Sequence, residues 1–94
     1  MMKKSTSSGL ATKLGISPAR AMEAVIKAKL IRAVQKELVR TGLTHDELAK
    51  RSGLPRSAVT GILSGSLQKV TIDRVLRLID AAQLVADVRI RSAA

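Results

Sequence analysis

Apolar residues fall at helical spacing over the first long stretch of the chain that lacks a helix breaker. Ser17 is suited to accept hydrogen bonds from the first amides of a helix, and Pro18 fits the first turn. Gly42 marks the other end. The pattern predicts either one long helix over 18–40 or a short helix followed by a longer one. Its apolar face consists of Val25, Ile31, Val34 and Leu38, with Ala24, Ala28 and Leu30 beside them.

Two short helices are predicted next, separated by a turn at Gly53. Thr44 and Glu47 have the spacing of a capping box, so a helix begins directly after Thr44. The following helix runs from Pro55 to Ser64 and stops at Gly65. Its apolar side consists of Ala58, Val59, Ile62 and Leu63.

The end of the chain combines one more helix with a change of period. Thr71 caps this helix, whose apolar side consists of Ile72, Val75, Leu76, Ile79 and Ala82. Beyond it, Ala86, Val88 and Ile90 alternate with charged residues, which is the pattern of a half-buried strand. A lone strand must fray or pair with a strand of another chain. The predicted fold class is all-α, with four to five helices and one short C-terminal strand paired in a dimer.

Composition narrows the possible functions of this 94-residue, single-domain chain. It has no Cys, no aromatic residue and one His, so disulfides, thiolate metal sites and base stacking on aromatic rings are excluded. Seventeen Lys and Arg against seven Asp and Glu give a net charge of +10, which favours a polyanionic partner. We expect no enzyme, no cofactor and no metal, a cytoplasmic location, and no membrane association.

The segment from His45 to Ser64 has the spacing of a helix-turn-helix. Two helices that cross need a small residue where their backbones approach, and Ala49 fits. The turn needs a residue that tolerates positive φ, which Gly53 supplies. Leu48 and Ala49 face inward, Leu54 fills the position directly after the turn, and Val59 and Ile62 tie the second helix to the first. Two bundled helices without a DNA role are the alternative interpretation.

With these residues in place, the region from Ala33 to Ile79, centred on GLTHDELAKRSGLPRSAVTGILSG, resembles the lambda-repressor-like, Xre-type DNA-binding domain. The entry LGISPARA, the run KAKL and the terminal VRIR are similar to HigA-type antitoxins of the short Xre class. The resemblance covers nearly the whole chain after Leu14. It implies a DNA-binding dimer that represses its own operon and often neutralises a partner toxin.

The resemblance implies that the helix beginning at Pro55 lies in the major groove. Arg56, Ser57, Thr60 and Gly61 would then face the bases. Arg56 is the strongest candidate, because a guanidinium can bridge O6 and N7 of a guanine. Gly61 departs from the long polar residue that relatives often carry there. It either permits a close approach to DNA or is merely tolerated.

Contacts with the DNA backbone are implied at both sides of this helix. His45 occupies the position where relatives often place a phosphate-binding Gln, and a solvated His is the alternative. The other expected phosphate contacts are Thr44, Ser64, Gln68, Lys69 and Thr71. The basic residues of the first helix, among them Lys27, Lys29, Lys36 and Arg40, are assigned no specific role.

Three segments are predicted: a flexible basic arm over 1–15, the DNA-binding domain over 16–84, and a strand and tail over 85–94. The arm either stays loose or enters the minor groove. The last segment would pair with its own copy, its apolar residues against the fourth helix and its arginines outward, or would extend the sheet of a toxin. A frayed tail is the third possibility. The expected interface residues are Val85, Ala86, Val88, Arg89 and Ile90.

The leading hypothesis is sequence-specific binding of double-stranded DNA by a homodimeric transcriptional repressor that autoregulates its operon as an antitoxin. A second hypothesis makes the chain mainly a protein-interaction module that neutralises a toxin, with DNA binding accessory. A third, a cationic amphipathic membrane binder, is disfavoured because the chain has no Trp or Phe to sit at an interface.

Overall fold

A computed structural model describes residues 15–65 and 70–93 of the chain. Within these ranges the chain forms four α-helices and no strand. The predicted all-α class is therefore confirmed for this part of the molecule. The helices are α1 (Pro18–Thr41), α2 (His45–Ser52), α3 (Arg56–Leu63) and α4 (Ile72–Ala81).

The first helix is continuous, which decides between the two predicted alternatives. The Ser17 side chain accepts a hydrogen bond from the Arg20 amide at 3.2 Å, as an N-cap does. At the other end Gly42 has φ 75°, and its N–H donates to the Leu38 carbonyl at 2.8 Å. Because no Pro or Gly lies between Pro18 and Gly42, nothing interrupts the helical hydrogen bonds.

The predicted caps of α2 and α4 are confirmed. The Glu47 amide donates to Thr44 Oγ1 at 3.1 Å, and the Thr44 amide donates to Glu47 Oε1 at 2.9 Å, which completes the capping box. Thr71 accepts from the Arg74 amide at 3.2 Å and starts α4. Each cap satisfies helix N–H groups that have no partner within the helix.

The bounds of α3 differ by one residue from the prediction at each end. Pro55 is the N-cap, with extended backbone at ψ 147°, and Ser64 is the C-cap. The Pro55 carbonyl accepts from the Ala58 and Val59 amides at 3.0 and 3.1 Å. Helical geometry therefore begins at Arg56.

The core lies where α3 and α4 pack against the C-terminal half of α1 and α2 packs against α3 and α4. Its largest fully buried side chains are Val34, Leu48, Val59, Val75 and Leu78. In the absence of aromatic side chains, branched aliphatic residues fill the interior. Burial of such residues supplies most of the free energy that holds these four helices together.

Two core predictions are wrong. Val25 is 40 % exposed, because the residues of α1 that join the cluster shared with the other helices all lie from Leu30 onward. In α4, Leu76 is exposed and Leu78 is fully buried. The buried face of α4 follows the helical repeat through Val75, Leu78, Ile79 and Ala82, and Leu76 points away from it.

The predicted C-terminal strand is not formed in the single chain. After α4, Gln83 adopts φ 61° and the Leu84 amide donates to the Ile79 carbonyl at 2.9 Å. Residues 85–93 then run without regular secondary structure. In the single chain their apolar side chains do not pack against α4, since Val85, Val88 and Ile90 are 80–91 % exposed. Strand hydrogen bonds need a neighbouring strand, and the described residues provide none.

Three earlier expectations fall partly or wholly beyond these ranges. Residues 1–14 of the predicted arm, and both Gln68 and Lys69, lie outside the described residues. In the part of the chain that is described, no helix has the length and apolar character needed to cross a bilayer.

Candidate nucleic-acid interface

The turn between α2 and α3 has the backbone geometry that the helix-turn-helix spacing predicted. Gly53 adopts φ 76° and its N–H donates to the Ala49 carbonyl at 3.0 Å. This left-handed conformation carries a steric penalty for any residue with a Cβ. The Leu54 amide then donates to Ser52 Oγ at 3.2 Å, while its side chain enters the core. Gly53 thus ends α2 and redirects the chain into α3.

One side of α3 is fixed inside the molecule. Val59 and Ile62 are buried in the same cluster as Leu48 of α2, as predicted. At the C-terminal end, the Gln35 side-chain amide on α1 donates to the Leu63 carbonyl at 2.6 Å. The inner face of α3 therefore has contacts with two other helices, which set its orientation.

The opposite side of α3 is presented to solvent. Arg56, Ser57, Thr60 and Ser64 are exposed, and Gly61 is half-buried. Their spacing of three and four residues places them on one side of the helix. The structure thus brings the predicted base-contacting residues together on one outward surface, which we call the reading face.

The first turn of α2 lies beside the reading face. His45 Nδ1 is 3.0 Å from Thr60 Oγ1. If a phosphate accepts from an N–H at Nε2 of a neutral His45, Nδ1 is left to accept from the Thr60 hydroxyl. The contact therefore links a predicted phosphate-contacting residue to a predicted base-contacting one.

Asp46 also approaches the reading face, and it was not among the predicted site residues. Its Oδ1 lies 3.0 Å from Arg56 Nε, and both side chains are about two-thirds exposed, at 65 and 67 %. The signal in the sequence was weak, because an acidic residue in the first turn of a helix is common for reasons of the helix dipole alone. Only the packing of α2 against α3 shows that Asp46 meets Arg56.

Two of the predicted phosphate-contacting hydroxyls have structural hydrogen bonds of their own. Thr44 Oγ1 donates to Glu47 Oε1 at 3.0 Å in addition to accepting from the Glu47 amide. Ser64 Oγ donates to the Gly61 carbonyl at 2.7 Å. A phosphate needs a donor, so each hydroxyl would have to give up its present acceptor to contact DNA through its own proton.

Electrostatics at the N-terminal end of α3 favours an anion. Its first turn contains no acidic residue, and its N-cap, Pro55, makes no side-chain hydrogen bond to the helix. No acidic side chain of α3 therefore compensates the positive end of its own helix dipole. The nearby carboxylate, that of Asp46, belongs to α2 and pairs with Arg56. In α2, by contrast, hydrogen bonds from Thr44 hold the pKa of the Glu47 carboxyl below its usual value.

A comparison with protein families agrees with this geometry. A family model described as a helix-turn-helix domain matches residues 11–91 of the 94. The chain belongs to the helix-turn-helix family. Neither a curated protein nor a solved structure was found to match it. Membership of this helix-turn-helix family indicates DNA as the partner and suggests transcription regulation, and the domain is typically a non-enzymatic DNA-binding module.

Proposed function

We propose that this helix-turn-helix protein binds a specific duplex DNA sequence through the reading face of α3 and acts as a homodimeric repressor of Xre type. The observation that supports this most directly is the two-sided environment of α3. Val59 and Ile62 hold its inner side in the core, while Arg56, Ser57 and Thr60 are exposed together on the other. A rigidly held helix with polar outward residues is what insertion into the major groove requires.

Arg56 is the residue proposed to identify a base. It lies in the first turn of α3, the part of a recognition helix that reaches base edges. Its guanidinium matches the O6 and N7 acceptors of guanine, whereas the hydroxyls of Ser57 and Thr60 discriminate less between bases. Because Gly61 has no side chain, the backbone of α3 could approach the DNA closely beside these residues.

The DNA backbone is proposed to contact the two flanks of α3. On one flank His45 would donate from Nε2 while Nδ1 stays with Thr60. On the other, the proposed contacts are Gln68, Lys69 and Thr71. Most of the net positive charge lies elsewhere: residues 1–43 carry nine basic and two acidic side chains, a net +7 of the total +10. That charge would raise affinity for DNA of any sequence.

Dimerisation is proposed through the C-terminal segment. The exposed apolar side chains of Val85, Val88 and Ile90, with Ala86 and Arg89 between them, would pair with the same segment of a second copy. Pairing would satisfy the strand backbone and place two reading faces on a two-fold symmetric site. Autoregulation and neutralisation of a toxin are proposed from the resemblance to HigA-type antitoxins.

The same exposed segment supports a second candidate function, in which the chain mainly binds a partner protein. An edge strand of a toxin would then take the place of the second copy. In that case the purified chain is monomeric, and its DNA binding is accessory.

The decisive experiment compares Arg56→Ala with Arg32→Ala. Both remove one exposed arginine, but Arg32 lies on α1 and is not part of the reading face. A duplex selected from a random-sequence pool and an unselected duplex are titrated at fixed salt. We expect Arg56→Ala to weaken the selected complex about 10-fold or more and the unselected one only slightly. Arg32→Ala should weaken both slightly and equally. Equal losses with Arg56→Ala would contradict base recognition by this residue.

A further inference from the structure

We infer that Asp46 is a specificity-determining residue of the reading face. From the first turn of α2, its carboxylate holds the Arg56 guanidinium and so determines how Arg56 meets a base. This inference rests on the proposed binding of DNA through α3. It assigns a role in base selection to a helix other than α3.

The geometry of the ion pair leaves the base-reading part of Arg56 available. Asp46 Oδ1 contacts Nε at 3.0 Å. A guanidinium has five N–H donors, and the four on Nη1 and Nη2 remain after Nε is engaged. These form the two-pronged end that matches O6 and N7 of guanine. Asp46 thus holds the side chain at the atom that the base does not need.

Pre-orientation by Asp46 has most effect once DNA is bound. In the free chain the side chains of Asp46 and Arg56 are each about two-thirds exposed, so water and salt weaken the attraction between them. When the reading face enters the groove, much of that water leaves and the attraction between the two charges increases. A long, flexible arginine that is already held also loses less conformational freedom on binding.

A carboxylate at this position also acts against unsuitable DNA. It is repelled by phosphates, which lowers the affinity for any duplex. It accepts hydrogen bonds but donates none, so it tolerates the amino groups of cytosine or adenine beside the guanine and rejects acceptors such as thymine O4. Removal of the charge should therefore raise general affinity while it lowers selectivity.

These opposite signs separate the inference from a purely structural role. Asp46 also lies at the positive end of α2, where any acidic residue stabilises the helix. If helix stabilisation were the whole contribution of Asp46, loss of its charge would lower the stability of the folded chain. The complexes with selected and unselected duplexes would then be weakened equally or not at all. A lower base preference combined with tighter binding of unselected duplex is outside what helix stabilisation can produce.

The test uses the full chain as wild type, Asp46→Asn and Asp46→Glu, with Asp73→Asn as the matched control. Asp73 also lies in the first turn of a helix and pairs with an arginine Nε, that of Arg77, at 3.2 Å, but on α4. Each protein selects duplexes from one random-sequence pool, and thermal melting checks that the variants are folded. The base position read by Arg56 is the one whose preference disappears in Arg56→Ala.

We expect Asp46→Asn to reduce the preference at that position about tenfold or more and to bind unselected duplex more tightly than wild type. Asp46→Glu, which keeps the charge on a longer side chain, should restore part of the preference. Asp73→Asn should leave it unchanged. An intact preference in folded Asp46→Asn would overturn the inference while the proposed function stands. A wild-type protein without any sequence preference would overturn both.

Discussion

The imidazole Nδ1 of His45 and the hydroxyl Oγ1 of Thr60 are 3.0 Å apart, so the first turn of α2 is hydrogen-bonded to the middle of α3. The two residues belong to different classes of proposed DNA contact, one to phosphate and one to bases. Their hydrogen bond makes the position of the proposed phosphate-binding group depend on the orientation of α3. We therefore expect the proposed contacts to the DNA backbone and to the bases to be coupled.

Thr60→Val tests this coupling, because Val keeps the branched shape of Thr and removes the hydroxyl. We expect the free energy of unfolding to change by less than about 1 kcal/mol, since the hydrogen bond is exposed. DNA affinity should fall several-fold, because His45 is no longer oriented. Fluorescence anisotropy on Thr60→Val, His45→Ala and the double variant forms a double-mutant cycle. Strictly additive losses in affinity would show that the two residues act independently.

Gly61→Ala tests whether the absence of a side chain at position 61 of α3 serves DNA binding. Beyond its own stretch of α3, a Cβ at Gly61 would meet no atom of the described residues within 4 Å, and glycine is about 1 kcal/mol less favourable than alanine inside a helix. We expect the melting temperature to rise, by roughly 4–8 °C per kcal/mol for a domain of this size. A lower DNA affinity in the stabilised variant would show that the bare backbone is needed for close approach, and an unchanged affinity would show that Gly61 is merely tolerated.

The control for this substitution is Gly53→Ala. A Cβ there also has open space, but Gly53 has φ 76°. The left-handed conformation costs an alanine about 1–2 kcal/mol, so this variant should melt at a lower temperature. A higher melting temperature with Gly53→Ala, or an unchanged one with Gly61→Ala, would contradict the roles assigned to the two glycines, a left-handed turn at Gly53 and ordinary helix at Gly61.

Glu47→Gln tests the capping box by its pH dependence. Hydrogen bonds from the Thr44 amide and hydroxyl keep the pKa of Glu47 in the folded chain below the usual 4.5. A group with a lowered folded pKa stabilises the fold above its unfolded pKa, and this contribution is lost as the pH falls through the folded value. Between pH of about 5 and about 3, the wild-type melting temperature should therefore fall more than that of Glu47→Gln.

Titration of Glu37 does not affect the comparison between wild type and Glu47→Gln. The pKa of Glu37 is also lowered, by its hydrogen bond with Arg40, but both proteins retain that pair. The difference between the two melting curves therefore reports on Glu47. Parallel curves for wild type and Glu47→Gln would show that the capping box gives no pH-dependent stability.

Removal of the chain from Val85 onward tests the proposed dimer. Sedimentation velocity should show a dimer for the full chain and a monomer for the shortened one, because the exposed apolar residues Val85, Val88 and Ile90 are lost. Val88→Lys should weaken the dimer within the full-length chain. A dimer that survives the truncation would exclude this segment as the interface, and a monomeric full chain would favour the partner-protein function.

Local signals in the sequence were sufficient for most of the secondary structure. The caps at Ser17, Thr44 and Thr71 and the ends at Gly42 and Gly53 were predicted because each depends on a side chain and amides within one turn. The helix-turn-helix spacing was predictable for a similar reason. Its small, glycine and apolar positions follow from how two short consecutive helices must meet.

Which side of each helix is buried was harder to predict from the sequence. Val25 and Leu76 have the spacing of a buried face and are nevertheless exposed, since burial depends on how far the other helices extend along α1 and around α4. Aliphatic residues occur on several sides of these helices, so periodicity alone does not select one. The alternation over 85–91 likewise indicated a strand, but a strand forms only beside another strand.

By itself, then, the sequence determined the helices and their caps, because these depend on interactions within a few residues. Tertiary structure alone decided that Asp46 meets Arg56 and that His45 meets Thr60. Both contacts join side chains of two different helices. Their distances are set by the burial of Leu48, Val59 and Ile62 beneath them, which fixes how α2 and α3 cross.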